Sequence, residues 1–131
     1  MKNVCILFFL ILCSVAPAQI INFPDPNFKN ALVSTKCVDT NDDSSPDADV
    51  DLNNDGEIDV NEAMMVLNLN VSNSQVSRLD GIENFKNLKF LDCYLNKMTT
   101  LNVQGLTNLT SLKCGNNQLT FLNVQGLANL T

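Results

Sequence analysis

Two consecutive blocks of 21 residues place the strongest constraint on how this chain folds. Residues 88–108 and 109–129 are identical at 12 of 21 aligned positions. The identical positions are mostly apolar or Asn, and they include Leu91 and Leu112, Cys93 and Cys114, Asn96 and Asn117, Leu101 and Leu122, Val103 and Val124, and Leu106 and Leu127. A fixed period of this size predicts a solenoid, in which each unit buries its apolar side chains against the next unit.

Acidic residues are concentrated in one stretch that precedes the repeats. Of the 14 Asp and Glu residues, 10 lie in residues 39–62, and no Lys or Arg occurs between Cys37 and Ser77. The net charge of -6 argues against a nucleic-acid partner, because phosphate binding needs clustered Lys and Arg. The chain has no His, which removes the commonest general base.

The N-terminus has the pattern of a secretory signal peptide in residues 1–18. Lys2 supplies the positive charge, residues 4–15 form an apolar run, and Ala18 ends a small-x-small cleavage pattern. The run is shorter than the roughly 20 residues that a membrane-spanning helix needs, so no transmembrane segment is predicted. We therefore expect a secreted or cell-surface protein, cleaved after Ala18. A lipoprotein anchored at Cys13 and an uncleaved buried helix are the alternatives.

Residues 19–65 are expected to form a helical, acidic N-terminal cap for the repeats. Asp25 followed by Pro26 is typical of a helix start, and Phe28, Ala31 and Leu32 then fall on one face. The apolar residues 64–67 are expected to cover the first end of the repeats, since a terminal unit otherwise exposes its core.

A complete calcium-loop motif lies within this cap. Residues 51–62 read DLNNDGEIDVNE and match D-x-[DN]-x-[DN]-G-x5-E, with Gly56 at the position of the sharp turn. Calcium takes 6 to 8 oxygen ligands, roughly 2.3 to 2.6 Å away, and the alternate spacing aims side chains at one point. The predicted metal ligands are Asp51, Asn53, Asp55, Glu57, Asp59 and Glu62. The alternative is an Asp/Asn-rich turn that holds no ion.

A weaker second calcium site is predicted just upstream, with Asp39, Asn41, Asp43 and Asp47 as its ligands. Ser44 stands where the motif has Gly, so this copy departs from the pattern. The short stretch resembles the serial Asp/Asn calcium loops of thrombospondin type-3 repeats.

After signal-peptide cleavage three cysteines remain, Cys37, Cys93 and Cys114. An odd number cannot all pair internally. Cys93 and Cys114 occupy equivalent positions of adjacent blocks, so they either form a disulfide or supply a reactive thiol, or they are two small hydrophobic residues stacked in the core. The pattern favours the interpretation as stacked core residues.

Residues 66–131 divide into repeats at 66–87, 88–108 and 109–129, with the start of a further repeat at Leu130. The two regular copies share the pattern L-x-x-L-x-C-x-x-N-x-[ML], which resembles the leucine-rich-repeat family. The resemblance implies an α/β solenoid with short parallel β-strands on its concave face. The helical cap and acidic loop are similar to those of internalin-type and secreted Bacteroidetes leucine-rich-repeat proteins. In that arrangement two short helices flank an EF-hand-like loop.

The resemblance implies a secreted or surface module that binds a protein or a glycan through its concave face, with structural calcium in the cap. The residues expected to contact the partner are Phe90, Asp92, Tyr94, Ser111 and Lys113. A dockerin-like calcium-dependent assembly module is the alternative. Because the sequence stops one residue after Leu130, a non-catalytic fragment of a larger secreted protein is also expected. The carboxylate cluster is spaced for a cation rather than for acid–base chemistry, so we expect no enzyme.

Overall fold

A computed structural model describes residues 18–41, 43 and 45–131. Residues 1–17, which hold nearly all of the predicted signal peptide, lie outside the described residues, as do Asp42 and Ser44. Within the described part of the chain, no helix is both long and apolar enough to cross a membrane.

Short strands joined by turns make up most of the described chain. In chain order the elements are α1 (Pro26–Ser34), α2 (Val60–Met65), β1 (Asn68–Asn70), a 3-10 turn (Ile82–Asn84), β2 (Phe90–Asp92), β3 (Thr100–Asn102), β4 (Ser111–Lys113) and β5 (Phe121–Asn123). Strands β1, β2 and β4 form a parallel sheet in that order, and β3 pairs with β5 in a second parallel sheet. Each 21-residue block therefore contributes one strand to each sheet.

The two sheets keep the register of the sequence repeat. Leu91 pairs with Leu112 in the first sheet, and Leu101 pairs with Leu122 in the second. The middle residue of a three-residue strand points to the opposite face from its neighbours. The middle residues Leu69 and Leu91 are accordingly fully buried, and their strand neighbours are half-buried.

Helix α1 confirms the helix start predicted from Asp25 and Pro26. The Asp25 side chain caps the helix by accepting hydrogen bonds from two backbone N–H groups of the first turn. Phe28, Ala31 and Leu32 are buried, as the spacing predicts. The Phe28 ring packs edge-on against that of Phe23, with 5.3 Å between ring centroids, so α1 joins the same core as the strands.

An antiparallel segment covers the outer edge of the first sheet. Val38 forms antiparallel bridges with both Leu69 and Ala48, and the Asn70 N–H donates to the Cys37 carbonyl at 2.7 Å. An exposed strand edge invites pairing with other chains. The chain at Val38, paired on its other side with Ala48, therefore covers β1 and protects that edge.

The predicted α/β leucine-rich-repeat solenoid is wrong. The described chain is a small, mainly β structure with two small parallel sheets and two helices, both of which precede the strands. A 21-residue block that supplies two strands and two turns leaves no length for a helix between them. Because the strands alternate between two sheets, a single concave sheet does not form.

The predicted EF-hand-like pair of helices is also corrected. Helix α1 ends at Ser34, and residues 35–50 lie between it and the loop at 51–62, so no helix enters the loop directly.

The apolar residues 64–67, which were expected to cover the first end of the repeats, do so only in part. Val66 is buried, whereas Met64, Met65 and Leu67 are 42%, 68% and 43% exposed.

The cysteines at 37, 93 and 114 are free thiols. Burial raises the pKa of Cys93 to about 12, and the neighbouring Cys114 and Asp92 add to the effect. The Cys93 thiol therefore stays protonated at neutral pH and packs as a small apolar group.

Among the described glycines, Gly81 is the one at which a side chain would cause the most serious steric clash. Its φ is +102°, and a Cβ there would lie 2.6 Å from Phe23 Cδ1 and 3.2 Å from the Asn22 carbonyl oxygen. We expect Gly81→Ala to lower the free energy of unfolding by about 2 kcal/mol, from left-handed strain plus overpacking. Urea denaturation of the variant and of the unaltered chain measures this difference in the free energy of unfolding.

Gly105→Ala is the matched control for this variant. Gly105 also has a positive φ of +87°, but no atom lies within 4 Å of a Cβ built there. Only the strain of about 1 kcal/mol should remain. Equal losses in the two variants would contradict the packing argument.

Candidate functional site

A groove of about 340 Å³ lies on the outer face of the three-stranded sheet. It is lined by Cys37, Asp39, Pro46, Asn68, Asn70, Phe90, Asp92 and Lys113. Of the five residues predicted to contact a partner, the groove gathers Phe90, Asp92 and Lys113. Their positions follow from the strands, since Phe90 and Asp92 flank the inward Leu91 and point outward.

Phe90, Asp92 and Lys113 form a contact network at the centre of this groove. The Lys113 ammonium lies 5.2 Å from the centroid of the Phe90 ring and 3.8 Å from Asp92 Oδ2. Because the Lys113 side chain is 61% exposed, this ion pair adds little stability. Its effect is to hold a cation, a carboxylate and an aromatic face next to one another.

The polar groups of the groove are held in place by backbone contacts. Asp92 Oδ1 accepts a hydrogen bond from the Tyr94 N–H at 3.0 Å, which leaves Oδ2 facing Lys113. On the adjacent strand, Asn70 Oδ1 accepts from the Ser72 N–H and the Ser72 hydroxyl. Side chains that are already oriented lose less conformational entropy when a ligand binds.

The weaker predicted calcium segment supplies one wall of the groove. Asp39 and Pro46 line the groove, and Asp47 closes the segment by accepting hydrogen bonds from the Thr40 N–H and hydroxyl. The Thr40 hydroxyl, then its N–H, lowers the pKa of Asp47. Asn41 and Asp43 are exposed, and each accepts from the backbone N–H two residues ahead.

Tyr94 and Ser111, the other two predicted contact residues, do not line the groove. The Tyr94 ring lies beside Gly115, and its hydroxyl accepts a hydrogen bond from Asn116 Nδ2 at 2.6 Å. This ring is 43% exposed, so it presents a fixed aromatic surface beside the groove. Ser111 is half-buried on β4.

Sequence reasoning missed that Cys37, Asp39 and Pro46 close one side of the site. Asp39 was predicted as a metal ligand, and Cys37 and Pro46 had no predicted role in a binding site. Their placement follows from the antiparallel bridge between Val38 and Leu69. That contact joins residues about 30 positions apart, and no local pattern signals it.

The complete acidic loop at 51–62 closes on itself through its own backbone. Asp51 accepts from the N–H groups of Asp55 and Gly56 at 3.1 and 2.8 Å. Glu62 accepts from those of Asn53 and Asp59 at 3.2 and 2.9 Å. Asp51 and Glu62 are 5% and 6% exposed, so these two carboxylates hold the ends of the loop together.

The same loop contains a capping box at the start of helix α2. The Asp59 side chain accepts from the Glu62 N–H, and the Glu62 side chain accepts from the Asp59 N–H. Asn53 and Asp55 each accept from the N–H two residues ahead, and the Glu57 carboxylate pairs with Lys29 Nζ at 2.7 Å. Each predicted ligand therefore has a structural partner within the protein.

Solved structures, but no family model, resemble this chain. No family model matches the sequence, and no curated protein matches it. A solved structure described as the CBM51-2 and INT domains from Clostridium perfringens ZmpB has a TM-score of 0.55 and 25% identity. The match covers 75% of this chain and 18% of that one. A structure of CBM51-2 in complex with GlcNAc and INT domains, from the same protein, gives a TM-score of 0.48 at 25% identity, covering 72% and 17%.

These comparisons correct the predicted membership of the leucine-rich-repeat family. No such family model matches, and the structures that resemble the chain are described as CBM51-2 and INT domains. The predicted assignment of this chain to the internalin-type and secreted Bacteroidetes leucine-rich-repeat proteins is therefore wrong. The internal 21-residue period is real, but it does not identify the family.

Calcium binding stays a prediction of the sequence. Within residues 18–41, 43 and 45–131, no group of three or more His, Cys, Asp or Glu side chains is placed to hold a metal ion. The loop carboxylates accept hydrogen bonds from backbone N–H groups rather than converging on one point. Binding of Ca²⁺ would require these side chains to turn toward a common centre.

A calorimetric titration tests the calcium prediction. If the loop binds Ca²⁺, a calcium concentration of 100 times Kd should stabilise the fold by about 2.7 kcal/mol. Asp51→Asn and Glu62→Gln should abolish the binding heat, whereas Asp80→Asn, outside the loop, should not. Absence of heat, with equal melting temperatures in calcium and in a chelator, would make the loop a self-contained turn.

Proposed function

We propose that this chain is a carbohydrate-binding module and that the groove on the outer face of β1, β2 and β4 is its ligand site. The observation that carries the proposal is the placement of the Phe90 ring beside Asp92 and Lys113 in a preformed groove. The likeness to part of a structure described as CBM51-2 and INT domains, CBM standing for carbohydrate-binding module, is consistent with the same function.

The chemistry of the groove suits a sugar. A pyranose ring presents hydroxyl groups at its edge and aliphatic C–H groups on its faces. The Phe90 ring offers a flat apolar surface for such a face, and aromatic faces carry a partial negative charge that attracts C–H groups. Asp92, Asn68 and Asn70 offer carboxylate and amide groups for the hydroxyls. A few oriented polar groups around an apolar surface are typical of small-ligand sites.

The proposed action is binding rather than catalysis. The groove carboxylate Asp92 is held between the Tyr94 N–H and the Lys113 ammonium. In this position the carboxylate oxygens can accept hydrogen bonds from sugar hydroxyls. Together with the predicted signal peptide, this supports an exported module that attaches to glycans.

A glycan array followed by calorimetry tests the proposal. We expect the chain to bind a subset of the arrayed sugars, and Phe90→Ala and Asp92→Asn each to weaken binding at least tenfold, about 1.4 kcal/mol. Both residues are half-buried on the outward face of the sheet, so melting temperatures of the variants verify that each still folds.

Phe121→Ala is the matched control for this experiment. Phe121 is 56% exposed on β5, in the other sheet, and its loss should leave sugar affinity unchanged. If no arrayed sugar binds, or if Phe90→Ala binds as well as the unaltered chain, the groove is not a carbohydrate site.

A further inference from the structure

An apolar surface outside the proposed sugar groove lies on the N-terminal part of the molecule. Leu52, Met64, Met65 and Leu67, here called the methionine patch, are 53%, 42%, 68% and 43% exposed. Leu52, Met65 and Leu67 also line a cavity of about 260 Å³. The buried side chains Val38, Val50 and Val66 lie at the same cavity and make it apolar.

The charged residues at this cavity have one sign. Asp39, Asp49 and Glu62 line it together with the apolar side chains, and no Lys or Arg does. In the sequence, 10 acidic residues fall within 39–62, and no basic residue occurs between Cys37 and Ser77. Charges of one sign around a low-dielectric cleft produce a field that attracts the opposite charge.

We propose that the methionine patch binds a cationic amphipathic segment of another protein. Such a segment would place an apolar side chain in the cavity and Lys or Arg side chains against the acidic rim. This pairing of apolar and electrostatic complementarity is the usual basis of specific recognition by small grooves.

The acidic residues that line the cavity disfavour the other partners that an exposed apolar surface could bind, namely a second copy of the chain, a nucleic acid or a membrane. A second copy of the chain would bring the same acidic residues into contact, and like charges oppose association. Nucleic acids and anionic membrane surfaces are repelled for the same reason. A neutral apolar partner would fill the cavity but would leave the rim carboxylates desolvated without a counter-charge.

The side chains of the patch suit contact with a helix of variable sequence. Met65 and Met64 are unbranched and carry polarizable sulfur atoms, so they adapt to differently shaped partners. The patch is also separable from the sugar site, since among the described residues Asp39 alone lines both cavities and the patch residues themselves lie outside the groove. The two proposals therefore succeed or fail independently.

Fluorescence anisotropy with the full chain tests this inference. The probe is a labelled synthetic amphipathic peptide of Leu and Lys, and the comparison peptide has Glu in place of every Lys. We expect saturable binding of the Leu/Lys peptide, and no binding of the Leu/Glu peptide. Added salt should weaken the affinity, because charges at the rim are screened.

Single variants then separate the apolar contact from general attraction between opposite charges. Met65→Ser, Leu67→Ser and Asp49→Asn should each weaken Leu/Lys binding at least fivefold. Phe121→Ser, an exposed apolar residue on β5, should leave the affinity unchanged. Met65 and Leu67 are exposed, so their Ser variants should fold, and melting temperatures verify it.

Three results would overturn the inference. They are failure of the Leu/Lys peptide to bind, equal binding of the Leu/Glu peptide, and unchanged affinity in the Met65→Ser and Leu67→Ser variants. Self-association of the chain that Met65→Ser abolishes would assign the patch to a second copy instead.

Discussion

Asp25→Ala should destabilise the fold by about 4 kcal/mol, because it removes a helix cap and leaves four buried or part-buried N–H donors without this partner. Asp25 is 5% exposed. Its Oδ1 accepts from the first turn of α1, and its Oδ2 accepts from the Ser77 and Arg78 N–H groups at 2.7 and 3.1 Å. One carboxylate thus joins α1 to the loop before the 3-10 turn. Urea denaturation followed by circular dichroism measures the loss.

The same carboxylate predicts an acid dependence of stability. Burial raises the pKa of Asp25, but hydrogen bonds from Ser77, Phe28, Arg78 and Asn27 outweigh it, so the pKa lies below its ordinary value of 3.8. A group with a lowered folded-state pKa contributes stability above pH 3.8, and the contribution is lost as the pH falls further. Asp25→Asn should remove this part of the acid dependence. An unchanged acid profile in that variant would contradict the assignment.

Asn96→Ala should destabilise the fold by about 3 kcal/mol, because it removes the partner of two N–H groups and of the Val71 carbonyl, while the Cys93 carbonyl keeps its bond from Asn117. Asn96 is 8% exposed. Its Oδ1 accepts from the Ser74 and Val76 N–H groups, and its Nδ2 donates to the Val71 and Cys93 carbonyls. These bonds tie the turn after β2 to the preceding turn. Thermal and urea denaturation measure the effect.

Asn117→Ala is the natural comparison, since Asn117 occupies the equivalent position one block later. Asn117 accepts from the Met98 N–H and donates to the Cys93 and Cys114 carbonyls, but it is only half-buried. Water can replace part of what is lost there, so we expect roughly half the effect of Asn96→Ala. A larger loss from Asn117→Ala would contradict the dependence on burial.

Local patterns in the sequence predicted local structure well. The helix start at Asp25 and the buried face formed by Phe28, Ala31 and Leu32 are both confirmed. Each depends on residues a few positions apart, whose geometry is set by backbone hydrogen bonding. The periodic Leu positions likewise mark the inward side chains of the strands.

Contacts between distant residues were not predictable from these patterns. The 21-residue period does not say that successive strands alternate between two sheets, and this is why the predicted fold class was wrong. Likewise, the sequence predicts Asp25 only as a helix cap, but half of the hydrogen bonds that its carboxylate accepts come from the distant Ser77 and Arg78 N–H groups. The groove depends on Val38 pairing with Leu69, which brings Asp39 beside Phe90 and Asp92.

The most direct test of the proposed sugar site is a nuclear magnetic resonance titration of the nitrogen-15-labelled chain with a sugar selected on the array. The account predicts that the largest shifts of backbone amide signals fall on Asn70, Phe90, Asp92 and Lys113, across β1, β2 and β4. Shifts confined to β3 and β5, or to the loop at 51–62, would place the ligand elsewhere and contradict the account.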